Sequence, residues 1–238
     1  MLKYTKQRVM LSEKVIISVL MATYNTDFNL IKRAINSVLN QDFPNFELIV
    51  IDDGSTNDTY NLLYNFIKKF EDKIIYVRHA NIGQSHSINR GILNSIGEYI
   101  TILDADDEYK PNHLSNCLLA MQSADLIASN TETIVESVDD YYVPDKDDHK
   151  KNIHVDDCIL FATLFGKKEV FIKLKFNKIY SADSDFYERA ARQFVVNKLD
   201  LRSYIYYRNN PNSLCANMKN EIAMVSVNWF YVSPKIWK

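Results

Sequence analysis

Between Val15 and Leu103 the chain repeats one pattern: a short, mainly apolar run, then a segment with apolar residues at helical spacing. The runs are VIISVLM, FELIVI, KIIYV and EYITIL. A strand with one solvated face alternates apolar and polar side chains, whereas a mainly apolar run fits a strand buried on both faces, as in a parallel sheet. The intervening segments supply the covering layers. Leu30, Ile31, Ala34, Ile35, Val38 and Leu39 predict an amphipathic helix over 28–40, with Pro44 as a stop. Leu62, Leu63, Phe66, Ile67 and Phe70 predict a second helix, introduced by Ser55-Thr56-Asn57-Asp58 with capping-box spacing. A third occupies 85–95 and ends near Gly97. The expectation is an α/β chain with a doubly wound, mostly parallel sheet and right-handed crossovers.

Such sheets bind ligands in the crevice beyond the carboxyl ends of their strands. Those ends carry Thr23-Tyr24-Asn25, Asp52-Asp53 and the stretch Asp104-Ala105-Asp106-Asp107-Glu108. Four carboxylates in five residues repel one another. A folded chain tolerates them on a solvated loop or around something positive. An EF-hand would need Gly and Glu where Tyr109 and Ser115 stand. No G-x-G-x-x-G follows the first strand, and no phosphate-cradling G-x-x-x-x-G-K-[ST] occurs in a chain with five glycines. What remains is D-x-D. Two carboxylates flanking one small residue on a tight turn suit a hard divalent cation, which in turn neutralises a diphosphate. A merely solvated acidic turn has the same spacing.

After Pro111 the pattern weakens. A helix is expected over 111–123, a strand over 125–129, a charged mobile loop over 139–152, a strand and helix in FATLFGKKEVFIKL and a helix in SDFYERAARQF. A net charge of −2 leaves no basic footprint for a nucleic-acid partner. Cys117, Cys158 and Cys215 are odd in number and form no C-x-x-C, which argues against zinc or a disulfide framework. With 47% hydrophobic residues the 238-residue chain can bury a substantial core. The opening MLKYTKQRVMLSEK lacks a signal-peptide core, and no run approaches the ~20 apolar residues of a membrane span. A cytoplasmic protein is expected.

The motifs SVLMATYN, LIVIDDGSTNDT, ANIGQSHSINRGI and ITILDADDEYKP, in that order and spacing, resemble the family 2 glycosyltransferases of the GT-A fold. The resemblance is strong over 15–111 and persists through LFGKKEVF, YSADSDFYERAAR and YYRNNPNSLC. It implies a Rossmann-like GT-A sheet with an acceptor-side C-terminal subregion, and inverting transfer from a nucleotide-diphosphate sugar with Mn²⁺ or Mg²⁺. It also implies roles for individual residues. Thr23, Tyr24 and Asn25 border the nucleoside, Asp53 accepts from a base N3–H, which favours a UDP-sugar, and Asn81 and Gln84 open the loop beside the phosphates. Asp104 lies near ribose and metal, and Asp106 is the main metal ligand. Asp107 braces the turn or caps the following helix. YSADSDFYERAAR is similar to the family's A-E-D-x-D-[FL]-x-x-R, which puts Asp183 at the position of the catalytic base and Asp185 beside it as a brace or acceptor contact.

Three positions depart from the family pattern. Ala182 replaces a glutamate, Ile88 an arginine and Asn210 a histidine. Arg90 or His86 would have to take over from the arginine, and Arg208 or Ser213 from the histidine. These departures keep open an alternative: a degenerate module that binds a nucleotide sugar or a partner protein without turnover. Nucleotidyltransferases share the sheet architecture but begin with a glycine-rich loop that ATYNTD lacks. Residues 1–215 are expected to form a single domain, with a nucleotide half over 15–111 and an acceptor half over 112–215. Residues 216–238 form an aromatic, apolar extension suited to packing, to homodimer contact or to peripheral attachment at the inner face of the cell membrane. The implied acceptor is a glycan or lipid-linked hydroxyl in bacterial surface-polysaccharide assembly.

Overall fold

The computed structural model describes residues 14–146, 148, 151–178 and 181–209. Its strands are β1 (Ile17–Thr23), β2 (Phe46–Asp52), β3 (Ile74–Arg78), β4 (Tyr99–Ile102), β5 (Glu108–Tyr109), β6 (Leu126–Ser129), β7 (Glu132–Ile134), β8 (Tyr142–Pro144), β9 (Asn152–His154), β10 (Leu164–Lys167), β11 (Val196–Leu199) and β12 (Tyr204–Tyr207). Its helices are α1 (Phe28–Leu39), α2 (Thr59–Ile67), α3 (Gln84–Asn94), α4 (His113–Ala120), α5 (Lys168–Leu174) and α6 (Ala182–Ala191).

A seven-stranded sheet runs in the order β11-β6-β10-β4-β1-β2-β3. The four strands read from the mainly apolar runs lie side by side and parallel. β10 is antiparallel to both β4 and β6, so the sheet is mixed beyond β4. The register from Ile17↔Phe46 to Thr23↔Asp52 finishes β1 and β2 level, which sets their trailing loops side by side.

Alternate residues of each central strand serve opposite layers. Val19, Met21, Leu48 and Val50 pack with Ile31, Ala34, Ile35 and Val38 of α1 and with Leu63 and Ile67 of α2. Leu20, Ile49 and Ile51 pack with Ile88 and Ile92 of α3, Phe171 of α5 and Phe186 of α6. Each fully buried Ile or Leu here contributes roughly 1.5–3 kcal/mol, which explains why the apolar runs were readable as two-sided strands.

Several local expectations change. α2 starts at Thr59 with no side-chain cap, so the Ser55–Asp58 capping box does not form. Leu62 is half exposed, and the buried side of α2 is Thr59, Leu63 and Ile67, because the helix begins later than the spacing suggested. Part of the stretch expected as a mobile loop is ordered. Ser137 and Asp140 cap each other in a reciprocal box, β8 and β9 pair as a hairpin, and Tyr141 stacks on His154 at 5.5 Å. A second small sheet, β5-β12-β7, was not anticipated. Cys117 and Cys158 are free thiols, while Cys215, Asn210, Ser213 and the 216–238 extension lie outside the described residues.

Candidate active site

The loops after β1 and β2 interlock. Asn25 sits in the left-handed region (φ 52°), where its short amide is tolerated. Its Oδ1 accepts from the Thr56 N–H at 2.8 Å and the Asn57 N–H at 3.3 Å, and its own N–H donates to Ser55 Oγ at 3.0 Å. Ser55 is therefore committed to the β1 loop rather than to a helix cap. Asp52 accepts from the Ser55 N–H and the Tyr76 hydroxyl, each at 2.7 Å, and faces Arg78 Nε at 3.2 Å, which makes it a brace. Gly54 turns with φ 82°, and a Cβ there would lie 2.6 Å from the Asn81 nitrogen. Only glycine lets this loop meet the one before α3 so closely. Thr23 is buried, and its Oγ1 has no hydrogen-bond partner among the described residues, while Tyr24 and Asn81 are exposed.

Asp53 is 3% exposed. Its Oδ1 accepts from the Ile82 N–H and its Oδ2 from the Gly83 N–H, both at 2.9 Å. These two loop N–H groups are thereby satisfied by protein. Gly83, with φ 93°, then leads into α3. Gln84 turns onto the acidic turn, donating from Nε2 to Asp104 Oδ1 at 2.8 Å. Ser85 Oγ donates to the Lys178 carbonyl at 2.7 Å, and Asn89 clips Phe176 at both its carbonyl and its N–H. The head of α3 thus holds the acidic turn with one residue and the approach to α6 with two others.

The structure sorts the four clustered carboxylates. Asp107 is almost fully buried, and its Oδ2 accepts from the Tyr204 hydroxyl at 2.6 Å and its Oδ1 from the Tyr207 N–H at 2.8 Å. It tethers β12 rather than capping α4. Burial foremost, then the charges of Asp104 and Asp106, push its carboxyl well above the usual range, while the bonds from Tyr204 and Tyr207 oppose that. Glu108 accepts from the Tyr207 hydroxyl at 2.6 Å and pairs with Arg33 Nε at 3.2 Å. Asp104 is raised to about 7, by desolvation first and then by the charges of Asp106 and Asp183, against the bond from Gln84. Asp104, Asp106 and Asp183 therefore share one electrostatic neighbourhood, although Asp183 comes from the other end of the chain.

Asp183 and Asp185 share the first turn of α6 but not its surroundings. Asp185 is held by Arg189 Nε at 2.7 Å and Lys178 Nζ at 3.0 Å. Burial works against its charge, but these two cations keep its carboxyl below the ordinary range. Among the described residues Asp183 accepts from backbone groups alone, one of them the Ser184 N–H at 2.8 Å. Desolvation pushes its carboxyl up, against those bonds. Ala182 is 6% exposed and Ile88 fully buried, both in the apolar layer on the α3–α5–α6 side. His86 and Arg90 are exposed on α3.

Arg208 follows β12. Its Nε and Nη1 are buried without a hydrogen-bond partner among the described residues, and its Nη2 is 3.5 Å from the Tyr142 carbonyl. Burial pushes the half-buried Cys158 thiol up to about 11, and the charges of Lys198, Asp183, Asp157 and Arg208 act on it more weakly. Of the residues organising the site, Arg33 and Tyr204 stand in none of the motifs read from the sequence, and Ser85 and Tyr207 stand inside such motifs without being singled out. Each acts across more than 65 positions, which no local spacing encodes.

The donor set can be tested against a divalent cation. Among the described residues no three His, Cys, Asp or Glu side chains close into a ready-made cage. A Mg²⁺-type ion does not need one, since it is commonly held by one or two carboxylates plus substrate phosphates. Asp104 and Asp106 are hard oxygen donors two residues apart on one turn, so they fit such an ion.

The parallel half-sheet, the D-A-D turn beyond β4 and the acidic head of α6 define a GT-A type domain, a class of sugar transferases. A model described as "Glycosyl transferase family 2" matches residues 18–223, and the chain belongs to that family. Among curated relatives, the Campylobacter jejuni GalNAc(5)-diNAcBac-PP-undecaprenol beta-1,3-glucosyltransferase is 38% identical over 104 residues, 43% of this chain and 33% of its own length. The Escherichia coli putative colanic acid biosynthesis glycosyl transferase WcaA is 41% identical over 102 residues, 42% of this chain and 36% of its own length. The matched stretch is thus about a third of these relatives. Among solved structures, the Pyrobaculum calidifontis mannosyltransferase PcManGT with GDP-Man and Mn²⁺ has a TM-score of 0.66 at 18% identity, covering 95% of this chain and 66% of its own. Staphylococcus aureus TarS with UDP-GlcNAc has a TM-score of 0.64 at 15% identity, covering 92% and 68%. These likenesses show the fold. Among the described residues no helix is long and apolar enough to cross a membrane.

Proposed function

We propose that this chain transfers a sugar, with inversion, from a nucleotide-diphosphate sugar to a hydroxyl of a glycan or lipid-linked acceptor. The donor put first is a UDP-sugar. The observation that carries the reading is that Asp104 feels the charges of both Asp106 and Asp183, while Asp183 has no cation against it among the described residues and its carboxyl is raised by desolvation. A carboxylate in that state is a better proton acceptor than an ion-paired one such as Asp185.

In the proposed reaction Asp183 takes the acceptor hydroxyl proton as the acceptor oxygen forms its bond to the anomeric carbon. The bond from that carbon to the diphosphate breaks on the far face, and its electron pair leaves with the nucleoside diphosphate. A divalent ion on Asp106 and Asp104 would supply Lewis-acid stabilisation of that leaving group. Arg208, whose Nε and Nη1 have no hydrogen-bond partner among the described residues, is assigned to an anion and to the part of the family histidine. Thr23, Tyr24, Asn25 and Asp53 are assigned to the nucleoside. Asp53 uses one acceptor site on each oxygen for the α3 loop, and a carboxylate has further lone pairs for a base N3–H. Asn81 and Gln84 border the phosphates. Residues 1–215 are taken as one domain, acting in the cytoplasm at the inner face of the membrane, where the acceptors of surface-polysaccharide synthesis lie. The undecaprenol and colanic-acid names of the relatives support that acceptor class.

A second reading, binding without turnover, is favoured by one observation: Ala182, at the family's glutamate position, is packed into the core. One experiment separates the two readings. Purified protein is screened with UDP-, GDP- and dTDP-sugars, with and without Mn²⁺, for nucleoside diphosphate release and for transfer to lipid-linked acceptors. Metal-stimulated release from UDP-sugars supports the transferase. Calorimetric binding of a UDP-sugar with no release under any condition supports the binding module.

A further inference from the structure

We infer that Arg33, on α1, is a positioning residue that holds the turn bearing Asp106 and locks it to β12. The inference rests on the reading of Asp106 as a cation ligand. The guanidinium makes three different contacts at one place. Nη2 donates to the main-chain carbonyl of Asp106, Nε faces the Glu108 carboxylate at 3.2 Å, and the guanidinium carbon lies 3.8 Å from the centre of the Tyr207 ring. Tyr207 closes the circuit, with its hydroxyl on Glu108 and its N–H on Asp107. Tyr204 adds a second link, donating to Asp107 and accepting from the Asp104 N–H at 3.3 Å.

This arrangement meets a specific difficulty. Four carboxylates on one short turn repel, and a cation placed directly on the ligand oxygens of Asp106 would compete with a metal. Arg33 instead engages the main-chain oxygen of Asp106 and the side chain of Glu108, so it adds positive charge beside the turn and fixes the backbone from which Asp106 projects. A planar fork with a stackable face can make all three contacts at once, whereas an ammonium is a point charge without that face. The ring it stacks on belongs to β12, whose other tyrosine, Tyr204, also holds Asp107, so the latch ties the acidic turn to that strand at two points. Outer-shell groups of this kind tune metal affinity without touching the ion.

The test compares wild type, Arg33→Met and Arg33→Lys by calorimetry of UDP binding in Mn²⁺ and in EDTA, with direct Mn²⁺ titration by electron paramagnetic resonance. Arg33→Met is expected to weaken Mn²⁺-dependent UDP binding and Mn²⁺ binding about 10- to 100-fold, while UDP binding in EDTA stays within about twofold of wild type. Arg33→Lys, which keeps the charge but loses the fork, should recover only part of the loss. Should Arg33→Met fail to fold, Arg33→Lys is judged by the same two measurements. A metal-dependent wild type whose Arg33 variants keep full Mn²⁺ enhancement, or lose UDP equally in Mn²⁺ and EDTA, overturns this inference alone. A wild type whose UDP binding ignores Mn²⁺ overturns the cation reading and this inference with it.

Discussion

The chain writes Asp-x-Asp twice at its proposed reaction centre, as Asp104-Ala105-Asp106 beyond β4 and as Asp183-Ser184-Asp185 at the head of α6. Identical spacing has different consequences. On the turn, Asp104 accepts from Gln84 and feels Asp106, while the acids that follow are held by other elements: Asp107 by β12, and Glu108 by Arg33 and Tyr207. On the helix, the two acids diverge around the axis. Asp185 falls to Arg189, one turn later, and to Lys178, while Asp183 keeps only backbone donors among the described residues. An acidic pair is therefore not one kind of object. What each carboxylate can do is set by which cation or hydroxyl the fold delivers to it.

The largest effect that can break this contrast is on turnover. Asp183→Asn should lower turnover by about 10²–10⁴-fold, the usual worth of a positioned base, with donor binding by calorimetry unchanged. Asp185→Asn should cost far less turnover and more acceptor affinity. Full turnover by Asp183→Asn would move the base elsewhere, with Asp185 the next to test. Next in size is the turn. Asp106→Asn should weaken UDP binding in Mn²⁺ by about 100-fold or more, as loss of a direct ligand should exceed loss of an outer-shell group, and should change binding in EDTA little. Equal calorimetric isotherms for mutant and wild type in Mn²⁺ would remove Asp106 from the metal site.

A smaller effect reads the two motifs through pH. Asp104 has a folded-state value raised to about 7, so below its unfolded value the site costs no stability, and stability is lost as pH rises toward and through 7. In EDTA, wild type should therefore lose more thermal stability between pH 5 and 8 than Asp104→Asn does, and Mn²⁺ should restore more at pH 8 than at pH 5. Parallel melting profiles for the two proteins would contradict the electrostatic account of the turn. Asp185 has the opposite sign. Its lowered carboxyl contributes stability above the unfolded value, and that is lost as pH falls through the folded value. The smallest effect belongs to this partly exposed pair. Asp185→Asn should cost about 1 kcal/mol or less in urea unfolding at pH 7, and less still in high salt. A several-fold larger loss would show that Asp185 does more than brace the helix.

Much of this was legible without coordinates. The mainly apolar runs pointed to four adjacent parallel strands, because a strand buried on both faces has no polar side to display, and hydrophobicity is a property each residue carries with it. The strand ends then located Thr23, Asp53, Asp104 and Asp106, since a parallel sheet leaves its crevice at those ends. Helix α1 was readable from its period, while the start of α2 was not, because the capping signal at Ser55 was spent on Asn25 of another loop. Tertiary structure alone decided the rest. β10 runs antiparallel between β4 and β6, which no local pattern of LFGK could announce. β5 is two residues long and exists through its pairing with β12 almost a hundred positions on. The electrostatic coupling of Asp183 to Asp104 and the sorting of the adjacent acids by Arg33, Tyr204 and Tyr207 likewise depend on partners brought from far along the chain. Hydrophobic periodicity is a local quantity and survives in the sequence. Charge pairing and desolvation are properties of neighbours, and the neighbours are chosen only when the chain folds.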